Sequence, residues 1–144
     1  MIRLEIPGLP PSANAHRKGW RVDHRAKQGY AGVVSVAAIE AGLHSRMLGS
    51  KDQAVRMEVA FVLGPKSRLS DVDNRLKALQ DALQLVGVLS NDRHIWIFEA
   101  ARVNGPEDRT LVKLFTVQAP TLDQVMTWWD LPDPLMEQTM GRRA

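Results

Sequence analysis

Asp71, Asp73, Lys77 and Asp81 crowd the stretch SDVDNRLKALQDAL at residues 70–83. Paired carboxylates hold hard divalent cations. Mg²⁺ takes one or two of them and fills its remaining positions with water and phosphate oxygens. A lysine on the same helix adds a fixed positive charge, which suits charge developing on a phosphate. A third carboxylate, Asp92, lies in the short turn before the apolar run at Ile95. The chain must fold back there for a strand to pair, which carries Asp92 towards the helix. The surroundings are cationic: Lys66, Arg68 and Arg75 flank the cluster and Arg93 follows Asp92. Carboxylates set among cations fit a metal bound to a polyanion.

The same residues also have an ordinary structural account. Asp73–Lys77 and Lys77–Asp81 are i,i+4 pairs. Ser70 with Asp73 fits a capping pattern, and early acidic residues suit the positive end of a helix dipole. At about 100° per residue, Val72, Leu76, Leu79, Leu83 and Val86 form one apolar stripe. Asp73, Asn74, Lys77 and Asp81 fall opposite it, and Asp71 sits on a flank at the helix start. The stretch alone leaves both readings open.

The elements that must position these groups read as follows. Ile2, Leu4 and Ile6 alternate with Arg3 and Glu5, a first strand. A Pro- and Gly-rich loop follows, then a short strand over 20–24 and a helix over 27–48 with Val36, Ile39, Leu43 and Met47 on one side. Val55, Met57, Val59 and Phe61 alternate as a second strand. The acidic helix spans 71–86. Residues 95–101 are apolar on both faces, as in a buried central strand that takes Trp96 and Phe98 into the core. NGPEDR reads as a hairpin-like turn into a last strand over 111–117. The predicted class is α+β: a small mixed sheet covered by two main helices, with residues 119–144 as an appended tail.

Composition narrows the classes. The 144 residues fit one domain, and 44% hydrophobic content supports a core. No apolar run approaches the ~20 residues that span a membrane. The first residues read as strand and turn rather than a signal peptide, so a cytoplasmic setting is expected. Without cysteine there are no disulfides, no thiol catalysis and no Cys-based zinc site. Four histidines lack metal spacing. The net charge of +3 is uneven, with His16, Arg17, Lys18, Arg21, His24, Arg25 and Lys27 in one early segment. Such a segment suits phosphate backbones or is a solvated loop.

With these residues on the page, DVDNRLKALQDAL followed by GVLSNDRHI resembles the RusA family of Holliday junction resolvases, found in bacteria and their phages. The pattern of D-x-D-N, Lys, D-A-L and a turn ending in an acidic residue falls on Asp71, Asp73, Asn74, Lys77, Asp81 and Asp92. The loop Pro10-Pro11-Ser12-Ala13-Asn14 is similar to the family's proline-rich loop. The resemblance covers most of residues 1–118. It implies a homodimeric, Mg²⁺-dependent endonuclease that nicks four-way DNA junctions symmetrically, with no nucleotide cofactor. It assigns metal binding and catalysis to Asp71, Asp73 and Asp92 and a catalytic role to Lys77. Asn74 and Asp81 are then supporting groups, and Asp81 holds Lys77. Arg17, Lys18, Arg21, Lys66 and Arg68 are the expected phosphate contacts, which position DNA without reading bases. One departure stands out: the family often has two acidic residues in the turn, and here the first is Asn91. A junction-binding dimer without cutting activity, and a nuclease for other branched DNA, are the alternatives.

Overall fold

Ile2, Leu4 and Ile6 are buried and their neighbours exposed, and the segment forms strand β1 (Ile2–Pro7). The computed structural model describes residues 1–12, 20–43, 47–68 and 71–132, with the side chains of residues 20–23 outside the description. Helix α1 (Trp20–Glu40), β2 (Ala54–Leu63), α2 (Asp73–Leu85), a 3₁₀ turn (Asp92–His94), β3 (Ile95–Asn104), β4 (Arg109–Val117) and α3 (Leu122–Trp129) follow. The four strands form one mixed sheet in the order β1-β4-β2-β3. β4 runs antiparallel to β1 and β2, whereas β2 and β3 are parallel. A parallel pair needs a crossover, and α2 provides it. The fold is therefore α+β, as predicted.

The core lies between one sheet face and the first two helices. Met57, Phe61, Leu63 and Leu114 from the sheet meet Val34 of α1 and Leu79 and Leu83 of α2. Each such side chain contributes roughly 1.5–3 kcal/mol by leaving water. α1 packs on α2 and β1. Its buried face is Tyr30, Ala31, Val34, Ala37 and Ala38, not the predicted stripe; Val36 and Ile39 are each 55% exposed. Alanines fill three of the five positions on that buried face, while Val36 and Ile39 face away from the core.

Five further expectations are corrected. Residues 20–24 are helical, so the predicted short strand is the first turn of α1. The helix also stops at Glu40 rather than 48. Gly42 has φ +75, with hydrogen bonds from Gly42 N to Ile39 O (2.9 Å) and Leu43 N to Ala38 O (3.0 Å). This is a Schellman closure, which a glycine at the left-handed position makes cheap. Gly87 ends α2 in the same way through Val88 N to Leu83 O (3.0 Å).

β3 is an edge strand, not a central one, and Trp96 and Phe98 are exposed rather than core. The central place beside β2 is taken by β4. It follows that NGPEDR is no hairpin: β3 and β4 lie on opposite sides of β2, and the turn arches over the end of β2. Gly105 N bonds Leu63 O (2.9 Å), while the Asp108 carboxylate accepts from Gly64 N and Ser67 Oγ, both at 2.7 Å. Finally, the tail holds a full eight-residue helix, α3, started by a reciprocal Thr121–Gln124 capping box. No described helix is long and apolar enough to cross a membrane.

Candidate nuclease site

The mouth of α2 is built by Asp71. Ser70, the predicted capping residue, lies outside the described residues. The N-cap position, Val72, already has helical dihedrals and offers no side-chain cap. Asp71 supplies the missing acceptor: one carboxylate oxygen takes the Asp73 amide (3.3 Å) and the other takes Asn74 Nδ2 (3.0 Å). Asp71 and Asp73 are both exposed at the positive end of the helix, where the dipole favours negative charge. Asn74 is a supporting group here because it fixes the Asp71 carboxylate. Arg75, read from sequence as a cation around the cluster, turns back into the fold and donates through Nη1 to Pro10 O. It ties the first turn of α2 to the proline-rich loop.

Asp92 is held by a separate device. Leu48 N bonds Val88 O and Ser90 N bonds Leu48 O, both at 2.9 Å, and Ser90 Oγ donates to Gly49 O at 2.6 Å. This lacing fixes the chain leaving α2. Asn91 then caps the 3₁₀ turn by accepting from Arg93 N at 3.0 Å. The residue that departs from the family pattern thus has a structural duty, and the turn it starts presents Asp92. His94 is buried at the start of β3 and packs beside Gly49. Gly49 and Ser90 were not singled out from the sequence; a glycine before a strand was the only available signal.

The turn and the helix meet at Lys77. Its ammonium lies 2.6 Å from Asp92 Oδ2, fifteen residues later in the chain, and 2.9 Å from Asp81 Oδ1 one helical turn on. Asp92 is held below the usual carboxylate range, chiefly by the hydrogen bond from Lys77. Lys77 is raised in turn, first by Asp92 and then by Asp81. The Lys77 side chain is 62% exposed and that of Asp92 32%, so solvent screens the pair and its contribution to stability is small. The predicted chain reversal therefore does bring Asp92 to α2.

Carboxylates occupy two stations on this helix: Asp71 and Asp73 at its mouth, Asp81 and Asp92 around Lys77. Among the described residues no three His, Cys, Asp or Glu side chains gather closely enough to hold a metal. The donors at these stations are carboxylate oxygens, exposed or half-buried, which by their chemistry suit a hard cation taking one or two carboxylates, such as Mg²⁺.

Of the predicted phosphate contacts, Arg17 and Lys18 lie outside the described residues, as does the side chain of Arg21. Lys66 and Arg68 are exposed in the turn between β2 and α2. The exposed His24 and Lys27 of α1 line a groove of about 370 Å³, with Pro11, Tyr30, Ala78 and Leu85. Asp81 lines the same groove, so the basic half of α1 leads directly to the Lys77 station.

The chain is 27% identical over 70 residues to crossover junction endodeoxyribonuclease RusA of Aquifex aeolicus (strain VF5). The alignment covers 48% of this chain and 55% of that protein, so the chain spans about half the length of the relative it matches. No protein-family model matches the chain.

Proposed function

We propose that this chain is a Mg²⁺-dependent, structure-selective endodeoxyribonuclease that resolves four-way DNA junctions by paired symmetric nicks. The observation that carries the reading is the meeting of Lys77 and Asp92 at 2.6 Å across fifteen residues of chain. It joins the acidic helix to the acidic turn in the order that resembles the RusA family, and the weak likeness to a junction endonuclease supports the same reading.

In this reading Asp71 and Asp73 would hold the metal at the mouth of α2; Asp92, the expected third ligand, stands at the separate Lys77 station in this structure. Bound there, Mg²⁺ would activate a coordinated water and neutralise charge on the scissile phosphate. The chain's own residues do the rest. Asn74 keeps the Asp71 carboxylate oriented. Lys77 offers a cation to the phosphate as charge develops. Asp81 restrains Lys77. Lys66, Arg68 and the basic half of α1 guide the DNA backbone, so binding falls steeply with salt.

A junction must be cut on two opposed strands, and a two-fold dimer supplies two equivalent sites. The exposed apolar residues of β3 and α3 support such an assembly. Trp96 and Phe98 of β3 share a groove with Val125 and Trp128 of α3, and Val103, Leu122, Met126 and Trp129 are exposed as well. β3 and α3 together line a groove of about 650 Å³.

The test is a labelled four-way junction incubated with the protein, with and without Mg²⁺, against matched duplex and flap DNA. Paired Mg²⁺-dependent nicks near the crossover, lost in Asp71→Asn, are expected. Equal cutting of the flap would assign a broader branched-DNA nuclease. Asn91 and the dispersed carboxylates favour one second reading, a dimer that binds junctions without cutting them. Tight binding with intact strands under Mg²⁺ and Mn²⁺ would establish it.

A further inference from the structure

α1 and α2 cover one face of the sheet, and strand registry orders the side chains on the other. Arg3 pairs with Lys113, Lys113 with Glu58 and Glu58 with Glu99, so one row crosses β1, β4, β2 and β3 in that order. Its signs run plus, plus, minus, minus. The next row on the same face is Glu5, Leu111, Ala60 and Ala101. Leu111 and Ala101 are exposed, and both rows line a groove of about 680 Å³.

Pairing within the chain leaves the first row polarised. Glu58 and Glu99 share one guanidinium, that of Arg56, at 2.9 Å each. Lys113 reaches Glu58 only at 4.0 Å, and Glu5 is taken by Arg109 at 2.7 Å. The β2–β3 half therefore keeps excess negative charge and the β1–β4 half excess positive charge. A surface with this pattern is its own complement. Rotation by a half-turn about an axis parallel to the strands, between β4 and β2, sets Glu99 against the partner's Arg3 and Glu58 against the partner's Lys113. It also lays Leu111 over the partner's Ala60. Sheets stacked face to face lie about 10 Å apart with their strands within about 30° of parallel. A glutamate and a lysine or arginine together span that gap.

We propose that the open face of the sheet is a self-complementary interface for a second copy of this chain, with the two-fold axis parallel to the strands between β4 and β2. The inference rests on the two-fold assembly proposed above and names the surface that forms it. Glu99 lines both this groove and the groove between β3 and α3, so the polarised face is continuous with the exposed apolar surface there. Leu111 and the alanines supply apolar contact. The charge row selects one orientation, because other pairings of the two faces set like charges together.

The experiment is sedimentation of the full chain without DNA, using two charge-swapped variants. Glu58→Lys with Glu99→Lys makes the row all positive; Arg3→Glu with Lys113→Glu makes it all negative. Each variant alone should lose dimer, its Kd rising at least about tenfold, and an equimolar mixture should regain it. Melting of each variant checks that the protomer is folded. A second measurement leaves the Arg56–Glu58 pair in place. The chain has no cysteine, so Arg3→Cys with Glu99→Cys carries the only two thiols, on opposite edges of the sheet. A short bismaleimide should link that variant into dimers and link neither single-cysteine variant as well. Folded variants that stay as dimeric as wild type, or a mixture that regains nothing, would overturn the interface while the assembly through β3 and α3 stands. If a charge-swapped variant fails to fold, the cross-link decides, and equal linking by the single-cysteine variants would overturn the proposal. A wild type that is monomeric at every concentration would overturn the two-fold assembly and this inference together, and junction cutting by the same sample would test the nuclease reading separately.

Discussion

Gly49→Ala should be strongly destabilising, because this glycine combines a left-handed backbone with a crowded side-chain position. Gly49 has φ +92, where a side chain costs about 1–3 kcal/mol. A Cβ there would also stand 2.9 Å from His94 Cβ and 3.2 Å from both Ser90 Oγ and Val55 Cγ2. Those neighbours have little room to give: His94 is buried at the end of the 3₁₀ turn, and Ser90 Oγ is bonded to Gly49 O. Overpacking of this kind adds roughly 1–3 kcal/mol. The total of about 2–5 kcal/mol is a large part of an ordinary domain's stability. At this chain length each kcal/mol lowers Tm by about 2–4 °C. Gly8→Ala is the control, since Gly8 has φ +77 with nothing within 4 Å of the added carbon. It pays the backbone term alone. Urea denaturation of both variants isolates the steric term as their difference. Because the strain falls on the segment that presents Asp92, junction cutting by Gly49→Ala should drop even at temperatures where the protein remains folded. Equal destabilisation of the two variants, within about 0.5 kcal/mol, would refute the steric lock.

Three other outcomes follow from the same geometry. Asp71→Asn should keep the bonds to Asp73 N and Asn74 in part and stay near wild-type stability, whereas Asp71→Ala should lose about 1 kcal/mol, as loss of a helix cap does; both should abolish Mg²⁺-dependent cutting. The Lys77–Asp92 pair should give a flat-topped stability difference between wild type and Asp92→Asn. Asp92 is lowered from 3.8, so its share is present above that pH and lost as pH falls through its lower folded value; Lys77 is raised from 10.5, so its share is present below that pH and lost as pH rises further. For a pair this exposed the plateau should stay below about 1 kcal/mol, and denaturation across the pH range would measure it. Replacing Trp128 and Trp129, 67% and 71% exposed, with alanine should shift sedimentation from dimer towards monomer while leaving the protomer's melting little changed.

The acidic site was more legible in the sequence than the sheet that carries it. Helical spacing put Asp73, Asn74, Lys77 and Asp81 on one face of α2, and its apolar stripe does face the core through Leu79 and Leu83. The return of Asp92 to that helix followed from the need of the next strand to pair. The capping details did not follow, because Asp71 and Ser70 are equally good acceptors by type and only the backbone path selects between them. α1 misled for a related reason. Val33, Val36 and Ile39 point to solvent, and the alanines at three of the five positions of its buried face carry little hydrophobic signal.

The misplacement of β3 has a different origin. A run that is apolar on both faces states that both faces avoid water, but not what covers them. In this protomer β3 lies at the sheet edge and exposes Trp96, Phe98 and Val103. α3 brings a second unburied apolar set to the same groove, and an eight-residue helix gains little stability from its own hydrogen bonds. Two elements that each need a partner, meeting at one edge, make the pattern a statement about the assembly rather than the single chain. On that argument the reading of β3 as a buried central strand is wrong, and the proposed dimer would cover its exposed edge instead. Protection of the β3 amides from hydrogen exchange that grows with protein concentration would bear it out, and exchange independent of concentration would leave β3 an ordinary exposed edge.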